Sequence, residues 1–421
     1  MRWRDFTLLW SASAASQFGG MCAATANPLL ALVLTHSPVF AGYVGAASTI
    51  PALLMHLPAG WFVDRFNRRL LMFIGQLGRL AACAMVVYAL GFDAHPKPVL
   101  VVAALCEGSF LVLYSAAEVT AVQRVVNPAE LPSALAMNEA RGHLAFMAGK
   151  PLGGFLFGQR ESYPYYVNLL ASLWSLVALL MMDKTDYQPQ GTARPEHARS
   201  RISLVDGLRM VILNSFLRTV VVVCSVGNFL FQTVLLLLVV LAEQQHLSSA
   251  RIGVLLATSG VGGLIGSVVA PSAGKHVRDE RNIIKVCVVA WAALTFIVAV
   301  SAQPVVGLIA WGGLSVTGGF LNVAIVNHQT GQVPEHLLGR VIGINRFLTS
   351  GAVPLGALSA GYIVAELQPR AAAWFVFGAI VLTALAVPLL IRPGRWLPAR
   401  AVARIKKRLA LEEVREPVAV P

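Results

Sequence analysis

With 421 residues, 57% of them hydrophobic and only 13% charged, and a mean hydropathy of +0.69, the chain has the composition of a polytopic membrane protein, not of a soluble globular domain. A nucleic-acid partner would need the net charge of +13 on one face of a soluble module. Here the basic residues sit in short loops and at the C-terminal end, so they report topology and no nucleic acid is expected. Cys22, Cys83, Cys106, Cys224 and Cys287 all fall inside apolar runs, without a Cys-x-x-Cys pair or clustered histidines, and read as small packing residues; no metal and no cofactor are expected.

At about 20 apolar residues per crossing, twelve spans are expected. The first, Phe6–Leu34, is long enough to be kinked at Asn27-Pro28 or tilted, and lacks a cleavage site, so it stays in the membrane. Val39–Phe62, Leu70–Gly91, Val99–Thr120, Ser133–Gly158 and Tyr163–Met182 follow. The polar stretch from Asp183 reads as a linker, and its last part, Ile202–Leu213, as a short amphipathic helix on the membrane surface. The second set is Leu217–Leu241, Ile252–Ala273, Ile283–Ala302, Val305–Asn327, Arg340–Ala365 and Ala371–Ile391, before a basic tail suited to anionic lipid. The expected fold is therefore all-α, with a six-helix bundle over 1–182, a linker over 183–213, a second six-helix bundle over 214–391 and a tail over 392–421. Of the 33 Lys and Arg residues only Lys97, Arg160, Arg251 and Arg370 fall on the outer side when the N-terminus is inside, which puts both termini in the cytoplasm.

The two halves repeat. Ser37-x4-Gly42 returns as Ser248-x4-Gly253 at the start of the second span of each half, and Lys150-Pro151-Leu152-Gly153 returns as Val353-Pro354-Leu355-Gly356 in the fifth. Between the second and third spans stands Gly60-Trp61-Phe62-Val63-Asp64-Arg65-Phe66-Asn67-Arg68-Arg69. Gly60 would let two helix backbones approach, Asp64 can accept hydrogen bonds from the N–H groups opening the next helix, and Arg65, Arg68 and Arg69 would hold the turn in the headgroup zone. A degenerate echo runs from Ala273-Gly274 to Arg278-Asp279.

That Gly-x-x-x-Asp-Arg-x-x-Arg-Arg run resembles the signature of the major facilitator superfamily of secondary transporters. Val126–Leu131 and Val333–Arg340 are similar to loops of its macrolide-efflux and enterobactin-exporter branch of drug:proton antiporters. Gly149, Lys150, Pro151, Gly153 and Gly154, followed by Gly158, resemble the antiporter motif of drug exporters, with Lys150 between Gly149 and Pro151 where that motif has Gly-Pro. Close helix packing alone would also explain those glycines, as it would Pro354 and Gly356.

The resemblance implies that spans 1, 4, 7 and 10 line a central cavity and that 2, 5, 8 and 11 form the moving interface. The polar residues of the lining spans are Gln17, Asn27, Glu107, Tyr114, Glu118, Asn228, Gln232, Asn322 and Asn327. Each can equally be a helix-to-helix hydrogen bond; as a set they suit a partly polar, moderately large organic molecule. Acids in a bilayer need a partner or water. Glu118 and Glu139 with Arg141 fit a structural ion pair or a proton site. Glu107, about 12 Å below the outer boundary, lies near the depth of Arg79, about 13 Å above the inner one, at 1.5 Å per residue; it is expected to pair with Arg79 or Lys150, either as a proton-responsive group or as a lock.

No nucleotide-binding loop or catalytic motif is present, so enzymatic chemistry is not expected and the energy would come from an ion gradient. The expected function is a proton-coupled exporter of a small organic compound, a drug, antibiotic or siderophore, acting as a monomer in a bacterial inner membrane. The alternatives are a nutrient or metabolite importer on the same fold and a transporter-like sensor, whose usual appended domain is absent from the sequence.

Overall fold

The computed structural model describes residues 3–126, 130–182, 204–274, 280–301, 303–333 and 335–391, with the side chains of Asp64 and Glu139 outside that description. The linker from 183 to 203, the tail from 392, residues 275–279 of the motif echo, residues 127–129 of the first exporter-like loop and residue 334 of the second also lie outside it, as do the side chains of residues 335–340.

Six helices form the first half: α1 Trp3–Thr35, α2 Pro38–Arg65, α3 Arg68–Phe92, α4 Pro96–Val125, α5 Leu131–Gln159 and α6 Tyr163–Met181. The short α7, Leu204–Leu213, precedes six more: α8 Ser215–Gln244, α9 Ser249–Gly274, α10 Glu280–Ser301, α11 Pro304–Gln332, α12 Glu335–Glu366 and α13 Pro369–Ile391. Eleven are long and apolar enough to cross a membrane. The twelfth long helix, α5, has the length at 29 residues but carries Glu139, Arg141 and Lys150. Leu382 and Leu170, at 69% and 68% exposure, belong to an apolar outer surface that only lipid tolerates.

Local chemistry sets the helix starts. Proline opens α2, α4, α11 and α13, where a missing N–H costs nothing. Asn214 caps α8 through the amides of Phe216 and Leu217 at 2.9 and 3.2 Å. At α3 the cap is Asn67, accepting from Arg69 and Leu70 at 2.9 and 3.3 Å, and not Asp64, which belongs to the last turn of α2. The reason is positional: the capping oxygen must come from the residue just before the first helical turn. Asn67→Ala is expected to lower stability by about 1 kcal/mol, read as an earlier thermal transition of the purified protein in detergent. α1 runs on through Pro28.

Each half repeats one packing scheme. α1 lies on α5 and α6, α4 on α2 and α3, and α3 on α6; likewise α8 lies on α12 and α13, α11 on α9 and α10, and α10 on α13. Even the turns correspond: His36 after α1 and His246 after α8 both adopt left-handed backbone, with φ of 50° and 57°. The surface helix α7 packs on α12 and α8.

Two crossings, α2 with α12 and α5 with α9, join the halves. Both are tight at the face carrying the α1–α2, α5–α6, α8–α9 and α12–α13 turns, here the far face. A Cβ on Gly42 would stand 2.9 Å from the Ala357 carbonyl, and one on Gly154 only 2.5 Å from the Cα of Gly253. The hydroxyls of Tyr43 and Tyr362 are hydrogen-bonded across the first crossing. One apolar core accordingly runs through both halves at the far face. At the near face, where α1 begins and α13 ends, the first half has a separate core around Phe6, Leu9, Met72 and Tyr114. Among the described residues the backbone-to-backbone approaches between the halves lie at the far face.

Candidate functional site

A cavity of about 1450 Å³ is lined mainly by α8, α11 and α12 of the second half, with Ala52 and Leu53 of α2 closing one side. Phe231, Trp291 and Phe347 give it aromatic walls, and Asn228, Asn322, Gln329 and Asn345 give it amides. The Asn228 amide donates to the Thr349 carbonyl at 2.9 Å, tying α8 to α12. The Trp291 indole N–H is taken up by Thr317 at 2.6 Å, which fixes the ring at the wall. The size and the mixture of apolar wall with a few polar groups suit a moderately large organic ligand.

The first half is built differently, around two buried ion pairs that meet α1. Arg79 on α3 donates through Nε and Nη2 to Oε1 of Glu107 on α4, at 2.9 and 2.8 Å. Its remaining donors go to the Ser16 hydroxyl and carbonyl and to Gln76, and Gly20 leaves the space the guanidinium occupies. Arg79 is 1% exposed and Glu107 22%, yet Oε2 of Glu107 is buried and has no hydrogen-bond partner among the described residues. One residue further along α1, Gln17 accepts from Arg141 at 3.4 Å, and Arg141 pairs with Glu118 at 2.7 Å and with Asn138 at 3.2 Å. α1 thus touches both pairs through adjacent side chains.

Several residues singled out from the sequence are thereby accounted for. Of the two cations considered for Glu107, Arg79 is the partner; the Lys150 ammonium lies 3.8 Å from the Phe146 ring centroid and, among the described residues, meets no carboxylate. Tyr114 bonds Ser13 at 2.9 Å and Asn27 accepts from Tyr165 at 2.9 Å, so both hold helices together. Asn228 and Asn322 line the cavity, whereas Gln232 and Asn327 are not among its lining residues.

The glycines divide by partner. A Cβ on Gly149 or Gly153 would strike Met21 or the Cys22 backbone of α1, and one on Gly356 the Phe229 backbone of α8. The two Pro-Leu-Gly runs, at Pro151 and Pro354, therefore pack the fifth span of each half on its first. Gly154 faces the other half instead. In the α2–α3 hairpin, Arg69 donates to the carbonyls of Leu179 and Leu180 at 2.6 and 2.7 Å, capping the end of α6, and Arg65 lies 4.2 Å from the Trp61 ring centroid. Among the described residues Gly60 meets nothing within 4 Å.

Sequence reasoning missed Ser16, Gly20 and Gln76, whose only signals are the Gly19-Gly20 pair in α1 and the Gln76-x-x-Arg79 spacing in α3. It also missed Gln329, Asn345 and Arg346, which line the cavity from α11 and α12.

Comparison with known proteins agrees with this architecture. Residues 9–312 match the family model of the Major Facilitator Superfamily. The multidrug efflux pump Tap of Mycolicibacterium fortuitum is 26% identical over 345 residues, 78% of this chain and 82% of the pump. The enterobactin exporter EntS of Shigella flexneri is 24% identical over 385 residues, 88% of each chain. Among solved structures, the nucleoside transporter NupG superposes with a TM-score of 0.70 at 11% identity, covering 93% of this chain and 99% of the other. A D-xylose-proton symporter gives 0.68 at 15% identity over 93% and 98% of the chains, a likeness of fold alone. The chain belongs to the Major Facilitator Superfamily.

Proposed function

We propose that the chain exports a small organic compound across a bacterial inner membrane, exchanging it for protons by alternating access. The observation that carries this reading is the division of labour between the halves: an apolar, amide-studded cavity in the second, and a buried Arg79–Glu107 pair with one free carboxylate oxygen in the first. The similarity to Tap and EntS, an efflux pump and an exporter by name, supports the outward direction.

With the near face assigned to the cytoplasm by the positive-inside distribution, the conformation is the one that loads substrate from inside. Closing the cytoplasmic side requires the α2–α3 hairpin to approach the second half, and Gly60 then supplies a close backbone contact. The Arg69 caps on α6 keep the hairpin rigid as the half moves. Protonation of Glu107 at Oε2 removes the counter-charge of a buried guanidinium, an event large enough to bias the packing of α1, α3 and α4 and thus the position of the first half. The Glu118–Arg141 pair is read as structural, with both side chains almost fully enclosed. The tail and linker are assigned to the cytoplasm, the working unit is one chain, and no catalytic chemistry is proposed.

Growth and efflux compared between deletion and complemented strains, across panels of drugs and siderophores, test the reading. Net efflux that rises with the gene supports it, and net uptake would overturn it. Gly60→Leu is expected to leave membrane content normal, lower transport about tenfold or more by penalising the cytoplasm-closed state, and keep Cys224, which lines the cavity, reactive to impermeant thiol reagents from the cytoplasmic side.

A further inference from the structure

The charge inventory of the cavity is one-sided. Among the described lining residues Arg346 is the single charged group. Arg346 lies near the middle of α12 and is exposed. Among the described residues its guanidinium has no hydrogen-bond or ion-pair partner. Every other arginine singled out within the spans is occupied: Arg79 and Arg141 by glutamates, Arg218 by the carbonyls of Ile212 and Leu390. Gln329 and Asn345, 3% and 7% exposed, line the same cavity.

An open guanidinium is a donor waiting for an acceptor. In a space walled by Trp291, Phe231 and Phe347 the water that would otherwise serve it is partly replaced by apolar side chains. A cationic ligand would meet Arg346 with no acid among the described lining residues to offset the repulsion. An anionic one would make a charge-assisted contact for which the guanidinium fork offers two parallel donors, and its ring system would lie on the aromatic walls.

We infer that Arg346 makes this cavity selective for an aromatic amphiphile bearing an anionic group, a carboxylate or ionised phenolate. The inference rests on the reading of the chain as a transporter whose substrate occupies this cavity. It places the substrate apart from permanently cationic drugs, for which the cavity offers aromatic surface but no counter-charge.

Three matched probes test it, pyrenebutyrate, pyrenebutanol and a pyrenebutyl-trimethylammonium salt, titrated into the purified full chain in detergent with quenching of indole fluorescence as the readout and Trp291→Phe to assign the signal. The carboxylate is expected to bind about tenfold or more tighter than the trimethylammonium probe, as a charge-assisted contact allows. Arg346→Gln should bring the carboxylate to the level of the alcohol while leaving the alcohol unchanged, and Arg346→Lys should retain part of the preference. Arg346 has no partner among the described residues, so its replacement is not expected to disturb folding. Equal binding of the cation and the anion, or an unchanged order in Arg346→Gln, would overturn the charge selectivity. The export reading would stand in that case, because strain-level efflux measures it separately. Absence of binding by all three probes would overturn both the inference and the assignment of the cavity.

Discussion

Glu107→Gln is expected to reduce pH-gradient-driven transport to the level of empty vesicles while sparing substrate binding and counterflow. Gln keeps the shape of the side chain and an Oε1 able to accept the bonds now made by Arg79 at 2.9 and 2.8 Å, but it can neither carry the charge nor take up a proton. The alternative role, a permanent lock between α3 and α4, makes a different prediction. Removing the charge would then leave Arg79, 1% exposed, without its counter-charge, and breaking a buried pair costs about 3–5 kcal/mol. The protein would be lost from the membrane or melt early, and counterflow would fall together with gradient-driven transport. Measuring counterflow, thermal stability and pH dependence on the same preparation separates the two. A well-expressed Glu107→Gln protein with unchanged pH dependence would remove Glu107 from the mechanism.

The second large effect is expected at the far-face crossing of α5 and α9. A side chain at Gly154 would begin 2.5 Å from both the Gly253 Cα and the Ser249 carbonyl oxygen. All of that is backbone, so no rotamer can yield. Gly154→Leu should therefore hold the far face open, with normal membrane content and almost no transport. An overpacking penalty of about 1–3 kcal/mol already shifts a two-state equilibrium by roughly 5- to 150-fold. Cys224 should correspondingly become less reactive to impermeant thiol reagents from the near face. Gly149→Leu provides the contrast: its Cβ would meet Met21 and the Phe18 carbonyl of α1, within one half. It should lower thermal stability without changing which face Cys224 is reached from.

The sequence is most informative where the physics is one-dimensional. Apolar runs of membrane length, proline openings and the repeated Pro-Leu-Gly runs need no knowledge of contacts to be seen, and every long helix except α5 is apolar enough to cross a membrane on those grounds alone. The Arg79–Glu107 pair is legible as two opposite charges at similar depth, since an unpaired charge there is too costly. What stays hidden depends on which way a helix is rotated. Arg346 reads as one more basic residue inside a span, and only the packing of α12 on α8 turns it toward the cavity. Ser16 and Gly20 are ordinary small residues of an apolar helix until the guanidinium is placed between them. The cap at α3 reads from the sequence as the conspicuous acid, Asp64, whereas the boundary between α2 and α3 falls at Asn67.

The central claim, outward transport of a small organic compound coupled to protons through Glu107, is tested most directly in inside-out membrane vesicles containing the chain. With the lumen acidified, a substrate identified in the strain panels should accumulate in the lumen, the accumulation should vanish with a protonophore, and Glu107→Gln vesicles should accumulate none while still exchanging substrate across the membrane. Accumulation indifferent to the imposed gradient, or equal in wild-type and Glu107→Gln vesicles, would contradict the account.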